Sequence, residues 1–195
     1  MSMSFVFGKP PSNPIVAAEP GWSPVSGYDD SMPVTLRTVG MGLALAVVLA
    51  IAWRLLVQDA LSIEGRPAAW SVTQVFLICT VGHELCHLLF FPRLGLQHTA
   101  VGVWLQMGAL FVQHLRPMKR NRLILAVLAP TILICLLPLA AGIWGFNVPP
   151  TLQWASVANG VAVGADLLAV TQMLRHVPAE SLVLDSNQAL FQRGA

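Results

Sequence analysis

The sequence predicts an all-α membrane protein of about four transmembrane helices, with a short β-hairpin-like or re-entrant cytoplasmic segment between the second and third. Three observations carry that reading. The mean hydropathy is +0.68. Only 10% of residues are charged against 55% hydrophobic, a balance rarely met in a soluble domain. Four apolar runs, 34–57, 70–91, 123–144 and 152–174, each reach the about 20 residues that cross a hydrocarbon core of about 30 Å.

Before the first run, residues 1–33 carry six prolines among Gly and Ser, from Pro10 to Pro33, and too few apolar residues in register to bury a face. A disordered cytoplasmic arm is expected there. The first run starts far from Met1 and lacks a basic stretch before it, so it is expected to be retained rather than cleaved as a secretory signal. The transmembrane domain is placed at 34–177 and a cytoplasmic tail at 178–195. An external loop at 59–69 and a tight turn at Asn147-Val148-Pro149-Pro150 join the outer ends of the helices.

Basic residues set the orientation, because loops rich in Lys and Arg stay on the cytoplasmic side. Four spans put both termini and the 91–122 connection on one side, with all 11 basic residues except Arg54 and Arg66. Both termini are therefore expected in the cytoplasm and the chain in a cell membrane. A net charge of +2 is explained by this asymmetry and gives no reason to expect nucleic acid. Cys79, Cys86 and Cys135 all fall in the spans, an odd number without disulfide or zinc-knuckle spacing, and read as small buried hydrophobes.

Within the 91–122 connection the chain stays apolar but is broken by Gly102 and Gly108, and 99–105 could pair with 109–115 around Gln106-Met107-Gly108. A free edge of such a hairpin could accept a substrate chain as an added strand. An interfacial loop without that role fits the pattern equally. In the third run Pro130 and Pro138 each remove a backbone donor and should bend the helix.

The chemistry lies in the second run. His83-Glu84-Leu85-Cys86-His87 places two histidines at i and i+4, on one face of a helix, where both imidazoles can share one Zn²⁺ beside the Glu84 carboxylate. A tetrahedral catalytic zinc wants a third protein ligand. Of the 9 acidic residues, only Glu84 and Asp166 lie deep in spans, and a lone carboxylate in hydrocarbon costs at least about 2.5–3.5 kcal/mol. Counting back from Arg93 and Arg175 at about 1.5 Å per residue puts His87 and His83 roughly 9 and 15 Å deep and Asp166 roughly 13–14 Å. The three can be level. Ala155, Asn159, Ala162, Asp166, Ala169 and Met173 recur at steps of four and three and form one stripe. Gly160 and Gly164 form a small-residue pair on another face. Neutral imidazoles, Zn²⁺ and two carboxylates sum to about zero, which would offset the cost of burying them.

These features point to a hydrolytic zinc centre with His83, His87 and Asp166 as metal ligands and Glu84 as general base and acid. Asn159 is a candidate for structural support or substrate binding, and His98 and His114 for steadying an oxyanion. The sequence resembles a group of small bacterial multi-pass membrane proteins with a zincin-like peptidase motif, a domain of unknown function, which is distantly similar to the site-2 protease class. The resemblance covers roughly 70–185 and rests on the HExxH helix, the hairpin-like segment, Leu128-Ala129-Pro130, and Asn159 with Asp166 in the last helix. In site-2 proteases the late-helix Asp is usually followed by Gly and preceded by an Asn-Pro motif. Here Leu167 follows Asp166, and no proline separates it from Asn159. The resemblance implies an intramembrane zinc metalloprotease acting on peptides or membrane proteins in or near the bilayer. Two other functions fit the same residues: a metal transporter or sensor, and a catalytically inactive zinc-binding membrane protein. The sequence does not fix an oligomeric state.

Overall fold

The computed structural model describes residues 3–13, 15–16, 19–27, 32–58, 60–61, 69–105, 109–186 and 189–194. Three helical stretches are long and apolar enough to cross a membrane: Thr35–Leu56, Ser71–Phe90 and Arg120–Ile143. A fourth is formed if Pro150–Ala162 and Gly164–His176, bent by 53° at their junction, count as one span. The four hydropathy runs fall on these helices. Most of the predicted 59–69 loop and the predicted turn at Gln106-Met107-Gly108 lie outside the described residues.

The first span is one continuous helix, α1 (Met32–Leu56). The second comprises α2 (Ala69–Leu77), a π-helical turn (Ile78–Gly82) and α3 (His83–Phe90). In the third, α4 (Arg120–Pro130) runs through a π-helical stretch (Thr131–Leu136) into α5 (Leu137–Ile143). Pro138 supplies no N–H to the turn before it, which accounts for the wider winding there. The fourth consists of α6 (Pro150–Ala162) and α7 (Gly164–His176).

Small residues set how closely the helices approach. A Cβ on Gly164 would sit 2.1 Å from the Thr38 carbonyl oxygen, one on Gly42 2.3 Å from that of Val161, and one on Gly160 2.9 Å from Ala46 Cα. The Gly160/Gly164 pair therefore serves contact with the first span, as expected of small residues spaced by four in apolar helices. Towards the end of α1 this interface is closed by polar pairing in an apolar setting. Trp53, fully buried, donates from Nε1 to Ser156 Oγ (3.1 Å), and the Ser156 hydroxyl donates to the Cys135 carbonyl (2.8 Å).

The all-α expectation is not met among the described residues, because seven strands form two sheets at the end of the bundle where α3 finishes, α4 begins and α7 ends. The predicted hairpin is present as β3 (Thr99–Trp104) and β4 (Ala109–His114), antiparallel in the register Val101 to Val112. Outside it, the arm predicted to be disordered contributes two strands. β1 (Ser4–Phe7) pairs in parallel with β3, and β2 (Ser23–Pro24) pairs with β7. The second sheet has the order β2-β7-β6-β5, with β5 (Met118–Lys119), β6 (Leu182–Ser186) and β7 (Ala189–Arg193). The tail predicted at 178–195 is thus structured as well. Composition could not reveal this: the arm gains order from long-range pairing with strand edges already present, with Val25 entering the core beside Leu190, Met173 and Val183.

Gly164→Ala is expected to destabilise the bundle by about 1–3 kcal/mol through overpacking, whereas Gly40→Ala, with open space around its Cβ, should leave it unchanged. Thermal unfolding of both variants in detergent checks this, and equal midpoints would remove the close-approach argument.

Candidate metal centre

Sequence spacing puts His83 and His87 one turn apart on α3, and both side chains are buried. Their rings meet edge to face at 5.0 Å between centroids. The π-helical turn directly before His83 adds a residue to the winding and so sets which way the HExxH face points.

Each imidazole is held by its inner nitrogen. His83 Nδ1 lies 2.9 Å from Asn159 Oδ1. Asn159 is fully buried and donates from Nδ2 towards the Pro130 carbonyl (3.4 Å) and Cys135 Sγ (3.3 Å), so its Oδ1 is the acceptor and His83 Nδ1 carries the proton. His87 Nδ1 lies 2.9 Å from the Ala126 carbonyl, which can only accept. That carbonyl is available because Pro130, four residues on, has no N–H to claim it. Pro130, read from sequence as a source of bending, thereby provides the partner of a histidine. Its i+4 offset from Ala126 is in the sequence, but the facing histidine is not.

With both Nδ1 atoms donating, each ring in its neutral form, the form that binds a metal, directs its Nε2 lone pair towards Asp166. Separations are 3.3 Å from His83 Nε2 to Asp166 Oδ2 and 3.8 Å from His87 Nε2 to Oδ1. Asp166 stands in the first turn of α7, just past the bend, and its Oδ2 is buried without a hydrogen-bond partner. Two lone pairs and a carboxylate oxygen facing one another repel unless a cation lies among them. Ligand atoms on a tetrahedral zinc at about 2.0–2.1 Å sit about 3.3–3.4 Å apart, close to the separations seen. The residues present therefore fit the metal.

Glu84 also belongs to the cluster: one ligand atom from each of His83, Glu84 and His87 lies within 4.8 Å of the others. The chain thus offers two overlapping donor sets, one with Glu84 and one with Asp166. The Val112 backbone N–H on β4 is within polar reach of the Glu84 carboxylate. The cluster brings together His83, Glu84, His87, Asn159 and Asp166. His98 does not join it. His114 lies nearby, tilted against Phe91 at 5.2 Å between ring centroids.

A cavity of about 110 Å³ is lined by His87 and Asp166 of this cluster and by residues of β4, α4, α7 and the second sheet, with His114, Arg116 and Asp185 among them. Burial, reinforced by the positive charges of His98, Arg122 and Arg116, lowers the His114 pKa to about 4. Burial raises the Asp185 carboxyl to about 7. At neutral pH the cavity lining thus includes a neutral imidazole and a carboxyl close to its own midpoint.

A His–Glu–His arrangement on one helix is the zincin type of metal site. The chain belongs to the family described as "Putative zincin peptidase", which matches residues 76–182, more than half its length. The match takes in the HExxH helix, the hairpin, Asn159 and Asp166. No curated protein and no solved structure matches the chain.

The pH dependence of stability follows from Asp185. Its folded pKa of about 7 stands above the ordinary 3.8, so the fold favours the protonated form. The stability this contributes is full below 3.8 and is lost as pH rises through 7. Asp185→Asn should therefore raise the thermal midpoint relative to wild type at pH 8 and leave it nearly unchanged at pH 4. A difference independent of pH would refute the assignment.

Proposed function

We propose that the protein is a membrane-embedded zinc metalloprotease that hydrolyses peptide bonds of membrane or membrane-proximal substrates, with His83, His87 and Asp166 as ligands and Glu84 as general base. One observation carries this reading. Two imidazoles, each with its proton fixed on Nδ1, converge on the half-buried carboxylate of Asp166, whose Oδ2 has no hydrogen-bond partner, while the Glu84 carboxylate stands beside them.

The choice of Asp166 over Glu84 as third ligand rests on what each would otherwise lack. Asp166 Oδ2 has no other partner, whereas Glu84 faces the Val112 amide and occupies the position in HExxH that performs acid–base work. A bound zinc ion supplies Lewis acidity, polarising the substrate carbonyl and acidifying water. Glu84 accepts the proton of the attacking water on a carboxylate oxygen and delivers it to the departing amine nitrogen. Asn159 is a positioning residue: by accepting from His83 Nδ1 it keeps that ring in the tautomer whose Nε2 can bind metal.

The β3–β4 register supports a docking mode for the substrate. Leu115 N–H bonds to the His98 carbonyl, and alternation from that pair turns the backbone polar groups of Leu110, Val112 and His114 away from β3. No strand covers that edge among the described residues. An extended peptide added there would lie beside Glu84, as in other cases of strand addition. Basic-residue asymmetry favours cytoplasmic termini in a bacterial inner membrane.

Glu84→Gln is expected to retain zinc and lose peptide turnover by about 10²–10⁴-fold or more, measured by metal content and cleavage of a membrane-peptide library. A metal transporter would have no need of that proton shuttle, so full function in this variant would favour transport. Asp166→Ala should lose zinc; a zinc content equal to wild type removes it as a ligand. Asn159→Ala should weaken zinc binding about 10–100-fold, the usual effect of losing a residue that orients a ligand, read by competition with a chelator.

A further inference from the structure

We propose that the cavity bounded by Ala169 and Val127 is the subsite for an aliphatic side chain of about four carbons, borne by the substrate residue next to the scissile bond. This rests on the peptidase reading above and goes beyond it by naming what the site selects.

Position argues first. His87 and Asp166 are among the residues that line the cavity, so a side chain lying in it belongs to a residue adjacent to the metal centre. The strand geometry agrees, because Val112 and His114 both line the cavity and, being two apart on β4, share one face of the sheet. A peptide added along the outer edge of β4 presents alternate side chains on that same face, directing one of them inward.

Size and lining define the class of side chain. The cavity lining is mostly apolar and comes from separate elements, among them Leu123 and Val127 on α4, Ala169 on α7 and Leu190 on β7. An apolar cavity of about 150 Å³ takes benzene. At about 110 Å³ this one accommodates a branched aliphatic chain and is short for an aromatic ring. Ala169 acts as the gauge. It is buried at 4% exposure and stands one turn after Asp166, so its methyl leaves open a space that any larger residue would fill. His114 in the lining is neutral, and among the described residues Arg116 is the one fixed cation lining the cavity.

The test uses the zinc-loaded full chain in detergent and four hydroxamate peptide mimics that differ only in the side chain next to the metal-binding group: methyl, isobutyl, benzyl and carboxyethyl. Isothermal titration should show isobutyl binding at least about tenfold more tightly than methyl, the discrimination an apolar pocket gives for missing methylenes. Benzyl and carboxyethyl should bind more weakly than isobutyl. Ala169→Leu should abolish the isobutyl preference with zinc content unchanged. Val127→Ala, which enlarges the same space from another helix, should move the optimum towards benzyl and serves if the first variant folds poorly. Equal affinity for isobutyl and methyl, tightest binding of carboxyethyl through Arg116, or an isobutyl preference that survives both substitutions overturns the subsite. Peptide turnover is read separately. Absence of Glu84-dependent cleavage refutes the peptidase reading while the hydroxamate series still reports on the cavity, and cleavage without an aliphatic preference refutes the subsite alone.

Discussion

The structure depends on where two protons sit. With His83 and His87 each donating from Nδ1, to Asn159 and to the Ala126 carbonyl, both Nε2 lone pairs are committed to the space in front of Asp166. Were either ring turned over, a proton would occupy that space and the carboxylate would accept it as an ordinary hydrogen bond. In an apolar bundle the cost of an unsatisfied polar group is high, so the two outer partners hold the rings with little freedom. The two carboxylates have no Arg or Lys against them among the described ion pairs, and a divalent cation held there would supply their counter-charge. Metal binding and folding are coupled in such a site.

The interruptions in the helices are what bring the partners into place. An unbroken third span would spend the Ala126 carbonyl on its own ladder, and Pro130 releases it for His87. A straight fourth span would carry Asn159 and Asp166 along one line. The 53° bend between α6 and α7 instead leaves Asn159 behind His83 and Asp166 in front of it. The bend lies where Gly160 and Gly164 let the helix rest on the backbone of α1 at Ala46 and Thr38. The first span supplies nothing to the metal cluster, but it supports the helix that carries Asp166 and so fixes the height and direction of that carboxylate.

The parts of this arrangement governed by local periodicity were legible in the sequence. HExxH needs only the helical repeat, and the depth match between His83, His87 and Asp166 needs only the rise per residue and two basic boundaries. The hairpin at β3–β4 follows from the same counting, whereas the expected stripe through Asn159 and Asp166 is broken by the 53° bend, with Ala162 left exposed between them. What escaped is non-local. Pairing of Ser4–Phe7 with β3 joins segments nearly one hundred residues apart, and the proline-rich composition of the arm concealed a segment that needs a neighbour's edge to become ordered. Nor could the sequence tell which histidine would face the carbonyl freed by Pro130, since that depends on how α3 packs on α4.

The ordered arm gives the sheet-bearing end of the molecule its shape. Asn13, almost fully buried, accepts from Ile15 N–H, donates from Nδ2 to the Leu115 carbonyl just after β4, and donates its backbone N–H to Ser186 Oγ at the end of β6. One residue thus ties the hairpin sheet to the C-terminal sheet, the two bodies that wall the cavity leading from the metal cluster. β1 meanwhile occupies the outer edge of β3, which leaves β4 as the open edge of that sheet. An exposed strand edge invites pairing with any chain. By filling one edge from within, the fold leaves open, among the described strands, only the edge of that sheet that faces Glu84.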